Sequence, residues 1–344
     1  MKKTLLISST LALGLLSAVS YVHAKSSPAK PDMHMQKVMD ALASLGGKPI
    51  ETLSPEEARK QPSPADAVKK VLTDSGKTIA PEAGVTVTDM KVPGPLGDIP
   101  VHVYTPEGKG PFPVMVYYHG GGFVIADTKT YDASPRALAK GAKAIMVAVD
   151  YHQAPENKFP AAANDAYAAY SWVLKNAHTF NGDPKRVAVG GESAGGNLAT
   201  VVSMMARDKN EPMPVHQLLV YPVVDNDMTR PSYVKNANAK PLNKAMLQWF
   251  FKHYAGDPSS PYALPIKAES LKGLPAATII AAEIDPLLSE GKAYADRLKK
   301  DGVKVTYKEY KGVTHEFFGM SAVVPKAKAA QELAVKELDK AFMK

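Results

Sequence analysis

The 344-residue sequence contains no cysteine, which excludes disulfides, thiolate nucleophiles and cysteine-held metal centres. Beyond residue 24 it also lacks any apolar run long enough to cross a bilayer. It has no internal repeat and no glycine loop of the kind that cradles phosphates, so nothing points to nucleotide chemistry. Basic residues exceed acidic ones, 42 to 34, for a formal charge of +8. The lysines are scattered and not interleaved with aromatics, which describes a solvated surface and not a nucleic-acid groove. What remains, 45% hydrophobic and 22% charged residues, is the composition of a globular protein able to bury a full core.

Residues 1–24 open with Lys2 and Lys3, continue through an apolar stretch from Leu5 to Val19 and close on Val22, His23 and Ala24. This pattern predicts a cleaved signal for export, to the periplasm or the medium, and not a membrane span. Loss of the two lysines would lower the formal charge from +8 to +6. From residue 25 to 84 the chain reads as cap helices and linker. Met35, Val38, Met39, Leu42 and Leu45 recur at helical spacing until Gly46 and Gly47, and Ser54, Pro55 and Glu57 carry a capping-box start.

Residues 85–344 read as one α/β domain. Val85–Val92 and Ile99–Tyr104 alternate like an antiparallel hairpin at a sheet edge. Six further strand-like runs follow: Val114–Tyr118, Ala144–Val149, Arg186–Val189, Gln217–Tyr221, Ala277–Ala282 and Val303–Tyr310. All but the last are nearly continuously apolar, as parallel strands buried on both faces are. Helical patterns between most of them predict a mostly parallel eight-stranded sheet with helices on both faces and a site at the carboxyl ends of the strands. The long connection after Val223 predicts a cap insertion near 225–260, with an apolar-faced helix over Ala245–Tyr254. Ala329–Phe342 reads as a core-facing terminal helix. The run Val303–Tyr310 is a candidate exposed edge through which two copies could pair as a homodimer, although its lysines oppose such pairing.

The chemistry is concentrated at strand ends. Gly191, Glu192, Ser193, Ala194 and Gly195 lie between a strand and a helix, the setting of a nucleophilic serine on a sharp turn that also aims helix N–H groups at an oxyanion. His119, Gly120, Gly121 and Gly122 follow the Val114–Tyr118 strand and leave backbone N–H groups open to a ligand. A serine needs a base, and the base needs an orienting acid. His315 and Asp285 follow later strands, giving the chain order Ser193, Asp285, His315. Glu283 and Asp225 compete for the acid role, but Glu283 sits within or at the edge of its strand and Asp225 precedes the insertion.

With these residues in view, the chain resembles the hormone-sensitive lipase-like branch of the α/β-hydrolases, bacterial family IV esterases included. His119–Gly122 match its HGGG motif, Gly191–Gly196 its nucleophile turn, Asp285–Leu287 its DPL segment, and His315 with Phe317 its HGF segment. The resemblance implies an α/β-hydrolase fold with a helical cap and no metal or organic cofactor. It implies a Ser193, Asp285, His315 triad and oxyanion donors on Gly121, Gly122 and Ala194, with His119 bracing the glycine loop. Five positions depart from the family pattern: Glu192 for aspartate, His152 and Gln153 for arginine and leucine, Ser289 for a second aspartate, and Glu316 for the glycine after the histidine. The expected activity is hydrolysis of short- to medium-chain carboxylic esters, small-molecule substrates, through an acyl-enzyme. Amide or peptide hydrolysis by the same triad and a non-catalytic ligand-binding module are the alternatives.

Overall fold

The structure, a computed structural model, describes residues 29–78 and 80–343; the export signal expected over residues 1–24 lies outside them. Its centre is a single eight-stranded sheet: β1 (Val85–Gly94), β2 (Gly97–Pro106), β3 (Phe112–Tyr118), β4 (Ile145–Val149), β5 (Gly182–Glu192), β6 (Gln217–Val220), β7 (Ala277–Ile284) and β8 (Val305–Thr314). The spatial order is β1-β2-β4-β3-β5-β6-β7-β8. β1 and β2 form the expected antiparallel edge hairpin, β2 also runs antiparallel to β4, and every pairing from β4 to β8 is parallel. The order reverses beside β3, whose neighbours are β4 and β5, and the crevice at such a switch point is where this architecture places a site.

Helices cover both faces, as the continuous apolar strands require. On one side α5 (Ala161–Asn176), α6 (Ala194–Asp208) and α9 (Leu288–Lys300) bury Tyr170, Leu198 and Tyr294 against Val116, Val147 and Ile279. On the other, α4 (Ala133–Ala142) and α10 (Pro325–Phe342) bury Leu138 and Leu338 against Met115, Met146 and Ile280. Alternate residues of one strand thus serve two cores.

The cap comes from two distant stretches. The N-terminal one holds α1 (Met33–Ser44), α2 (Pro55–Ala58) and α3 (Pro64–Asp74). Ser54 and Glu57 form the expected capping box at α2. α3 is a third helix that periodicity alone did not reveal; it opens on its own capping box, Ser63 with Asp66. The second stretch, between β6 and β7, carries α7 (Pro231–Lys235) and α8 (Lys244–Tyr254). The two stretches bind each other: Trp249 Nε1 donates to the Leu53 carbonyl at 3.1 Å, and Asn243 Nδ2 to Glu51 Oε1 at 3.1 Å.

One strand boundary differs from the sequence reading in a way that matters for the site. β8 does not stop at Tyr310 but runs to Thr314, passing Gly312 at φ +66°. After a register shift, Ile284 of β7 pairs with Thr314 of β8. The next residue on each strand is Asp285 and His315, so they leave the sheet side by side.

Candidate active site

Ser193 sits at the junction of β5 and α6 with φ +56° and ψ −116°, a conformation that costs a non-glycine residue energy and lifts its side chain clear of the sheet. The turn closes only because its flanks are bare. A Cβ on Gly195 would lie 1.9 Å from the Tyr118 carbonyl oxygen. The Ser193 N–H is spent on the Val220 carbonyl at 2.9 Å, which locks the turn to the neighbouring strand.

His315 Nε2 lies 3.0 Å from Ser193 Oγ, and its Nδ1 lies 2.6 Å from Asp285 Oδ2. Because a carboxylate accepts at Nδ1, that nitrogen carries the proton and Nε2 presents its lone pair to the serine. The other oxygen of Asp285 accepts the Leu287 N–H at 2.8 Å, and its backbone carbonyl accepts from Asn236 Nδ2 at 2.9 Å. All three side chains are buried. Burial alone would lower the pKa of His315; the charge and hydrogen bond of Asp285, then the charges of Glu316 and Glu192, outweigh it and raise the value.

The rival acids are engaged elsewhere. Glu283 accepts the Gly312 N–H at 2.8 Å and faces Lys311 at 3.4 Å, while Asp225 pairs with Arg230.

The glycine loop after β3 faces this group. Gly121 and Gly122 hold φ of +97° and +60°, and among the described residues their N–H groups and that of Ala194 at the start of α6 are spent on no acceptor. His119 lies beneath the loop. Its Nδ1 donates to the Gly120 carbonyl at 2.7 Å, its ring stacks on Tyr151 at 4.4 Å, and the Tyr151 hydroxyl donates to the His119 carbonyl at 3.0 Å. Burial lowers the pKa of His119, which suits a neutral strut. Gly120 has no room for a side chain, since a Cβ there would meet the Tyr131 hydroxyl at 2.2 Å.

The departures from the family pattern each have a partner. Gln153 Nε2 donates to the carbonyls of Ile125 and Ala126 at 3.1 and 2.7 Å, tethering the glycine loop. The His152 N–H and Nδ1 both meet Asp165 Oδ2, at 2.8 and 2.6 Å. Ser289 exchanges hydrogen bonds with Ser232 at 3.0 Å each. Glu192, fully buried, accepts from the hydroxyls of Tyr117 and Tyr221. Burial, reinforced by the charge of Glu316, pushes its pKa up to about 7 despite those donors.

Above the triad lies a cavity of about 610 Å³, walled by Met39, Leu42, Ile50, Leu247, Phe250 and Phe251 from the cap, with Ser193, His315 and Glu316 at its floor. Tyr117, Tyr131, Tyr221 and Arg59 were not singled out by the sequence reading. They come from separate elements with no common spacing, and no motif links them. Among the described residues no group of three or more His, Asp or Glu side chains is arranged to hold a metal ion.

A buried serine hydrogen-bonded to a histidine that in turn meets a carboxylate, beneath a mostly apolar chamber, is the arrangement of the serine hydrolase class. The sequence profile described as "alpha/beta hydrolase fold" matches residues 115–319. The chain is 42% identical over 249 residues to the carboxylic ester hydrolase LipN of Mycobacterium tuberculosis, covering 70% of this chain and 66% of that protein. It is 39% identical over 274 residues to the esterase LipI of the same organism, covering 77% and 85%. The crystal structure of a thermostable esterase from Pseudomonas putida superposes with a TM-score of 0.82 at 37% identity, over 92% of this chain and 98% of that one. The chain belongs to the α/β-hydrolase fold family, in its hormone-sensitive lipase-like branch, and is a carboxylic ester hydrolase.

Proposed function

We propose that this enzyme hydrolyses small, largely uncharged carboxylic esters of short to medium acyl length, with Ser193, His315 and Asp285 as its triad and the N–H groups of Gly121, Gly122 and Ala194 as its oxyanion donors. The observation that carries the reading is the unbroken line from Ser193 Oγ through His315, at 3.0 Å, to Asp285, at 2.6 Å, at the floor of the cavity. His315 Nε2 takes the serine proton as Oγ bonds to the ester carbon, and the carbonyl oxygen, now anionic, meets the backbone donors. His315 then returns that proton to the departing alkoxide as its C–O bond breaks. Water repeats the sequence on the acyl-enzyme and frees the acid. Asp285 orients the ring and stabilises its charged form.

The chamber volume and its apolar wall favour short to medium chains. We also read the basic start, apolar stretch and Ala24 terminus of residues 1–24 as an export signal, which places the working enzyme outside the cytoplasm. β8, at the end of the sheet, supports the reading of an edge through which two copies pair. Its test is the mass of the purified protein in solution.

The test of the activity is hydrolysis of p-nitrophenyl esters from acetate to palmitate by the purified protein, with Ser193→Ala beside it. The expected result is turnover that peaks at short or medium chains and falls by about 10⁶-fold in the variant. Equal rates in both proteins would overturn the reading.

A further inference from the structure

The family pattern places glycine after the catalytic histidine; here the residue is Glu316. Its backbone keeps a conformation that suits glycine, φ +70°, and the side chain this adds turns back toward the reacting atoms. Glu316 Oε1 stands 3.7 Å from His315 Nε2, the nitrogen that faces Ser193, and the side chain borders the cavity. The Tyr131 hydroxyl donates to the same oxygen at 2.7 Å and fixes its place. His315 thus has a carboxylate at each nitrogen: Asp285 at Nδ1 and Glu316 at Nε2.

We propose that Glu316 is a further catalytic residue, a second carboxylate beside the imidazolium whose negative charge, 3.7 Å from the reacting Nε2, favours the protonated ring. The inference rests on the triad assignment above. No additional proton transfer is involved. The proton moves from Ser193 Oγ to His315 Nε2 and from there to the leaving oxygen; Glu316 only supplies negative charge beside the cation. The charged form of His315 is thereby favoured during the two steps in which it exists. The cost is that a resting protonated histidine is also held, so activity requires a higher pH than Asp285 alone would impose.

The groups around Glu316 support this geometry. His315 follows β8, Tyr131 precedes α4, Glu192 ends β5, Tyr117 lies on β3, Tyr221 follows β6 and Asp285 follows β7. Among the described residues no lysine or arginine pairs with Glu316, and His315 is the cation within reach. Burial raises the pKa of Glu316, and the charge of Asp285 adds to this; the opposing influences are His315 and the Tyr131 hydroxyl. Loss of a proton from Glu316 is therefore tied to the charge on His315.

The test uses Glu316→Gln, which keeps the shape and the Tyr131 contact, and Glu316→Gly, which matches the backbone conformation. In p-nitrophenyl butyrate hydrolysis the acid limb of kcat/KM is expected to move down by about one pH unit in both. The His315 ring is also titrated by NMR in Ser193→Ala with and without Glu316→Gln, a readout that needs no turnover. The expected result is a lower histidine pKa in the double variant. A limb and a titration that coincide with those of the parent proteins, or a uniform loss of rate at every pH with no movement of either, would overturn the proposal. Failure of the triad reading would show differently, as equal activity in wild type and Ser193→Ala.

Discussion

The rim of the sheet and the cap above it are built on opposite terms. At the rim each candidate catalytic group is fixed by several partners: Ser193 by a strained turn and a strand hydrogen bond, Asp285 by His315, the Leu287 N–H and Asn236. The cap wall over the same cavity is mostly apolar, and a few polar contacts join it to its surroundings. Among these, Arg59 of the cap donates to the Val124 and Ala154 carbonyls at 2.8 and 2.9 Å and pairs with Glu156. The difference separates two jobs. Directional bonds fix the candidate catalytic groups in place, whereas non-directional packing shapes the chamber and tolerates change.

The largest blow to this division falls on the rim. A Cβ on Gly121 would stand 2.1 Å from the Ile125 carbonyl oxygen in a backbone with φ +97°. Gly121→Ala is therefore expected to lower kcat by about 10²- to 10³-fold, the cost of a misplaced oxyanion donor, with KM nearly unchanged. Steady-state kinetics on p-nitrophenyl butyrate check it; a rise in KM alone would erase the distinction between rim and cap.

A change in the cap, although larger in atoms, has a different expected signature. Phe250 borders the cavity directly over the glycine loop, where a Cβ on Gly122 would come within 2.3 Å of its ring. Phe250→Ala is expected to move the preferred acyl length upward by changing the relative rates of neighbouring chain lengths, each methylene of pocket contact being worth about 10- to 200-fold. The ester series measures this, and an unchanged length preference would show that the ring does not bound the chamber.

The smallest effect is on stability alone. Glu290 on α9 is fully buried and accepts the N–H groups of Val224 and Asp225, at 2.7 and 3.2 Å, and the Tyr233 hydroxyl at 2.8 Å. It therefore anchors the start of the inserted cap segment. Burial pushes its pKa up from an ordinary 4.5 to about 8 even against these donors. Between those values the folded protein holds a proton that the unfolded chain has released, so this group's contribution to stability declines as pH rises from about 4.5 to 8. Glu290→Gln is expected to flatten that decline in Tm without altering acyl preference. Parallel Tm-against-pH curves for the two proteins would contradict it.

How much was legible before folding follows the same boundary. The strands announced themselves because burial on both faces demands continuous apolar runs, and the nucleophile turn because its glycines are sterically compulsory. Asp285 could be chosen over Glu283 from its place beyond the strand end, and Glu283 indeed binds Gly312 and Lys311 instead. α3 escaped because its helical start lies in a proline-rich stretch with a single buried residue, Ala67. Tyr131, Tyr117 and Tyr221 carry no local signal, since what distinguishes them is which carboxylate each meets after the chain has closed.

The sequence by itself determined the class of sheet, the order of the three candidate catalytic residues and the glycines that let backbone approach backbone, because these depend on local sterics and on the period of burial. Only the tertiary structure decided that Thr314 pairs with Ile284 and so sets His315 beside Asp285, that two cap segments nearly two hundred residues apart close one chamber, and that Glu316 comes within 3.7 Å of His315 Nε2. Those outcomes rest on register, packing and the meeting of distant polar groups, which have no representation along the chain until the core is assembled.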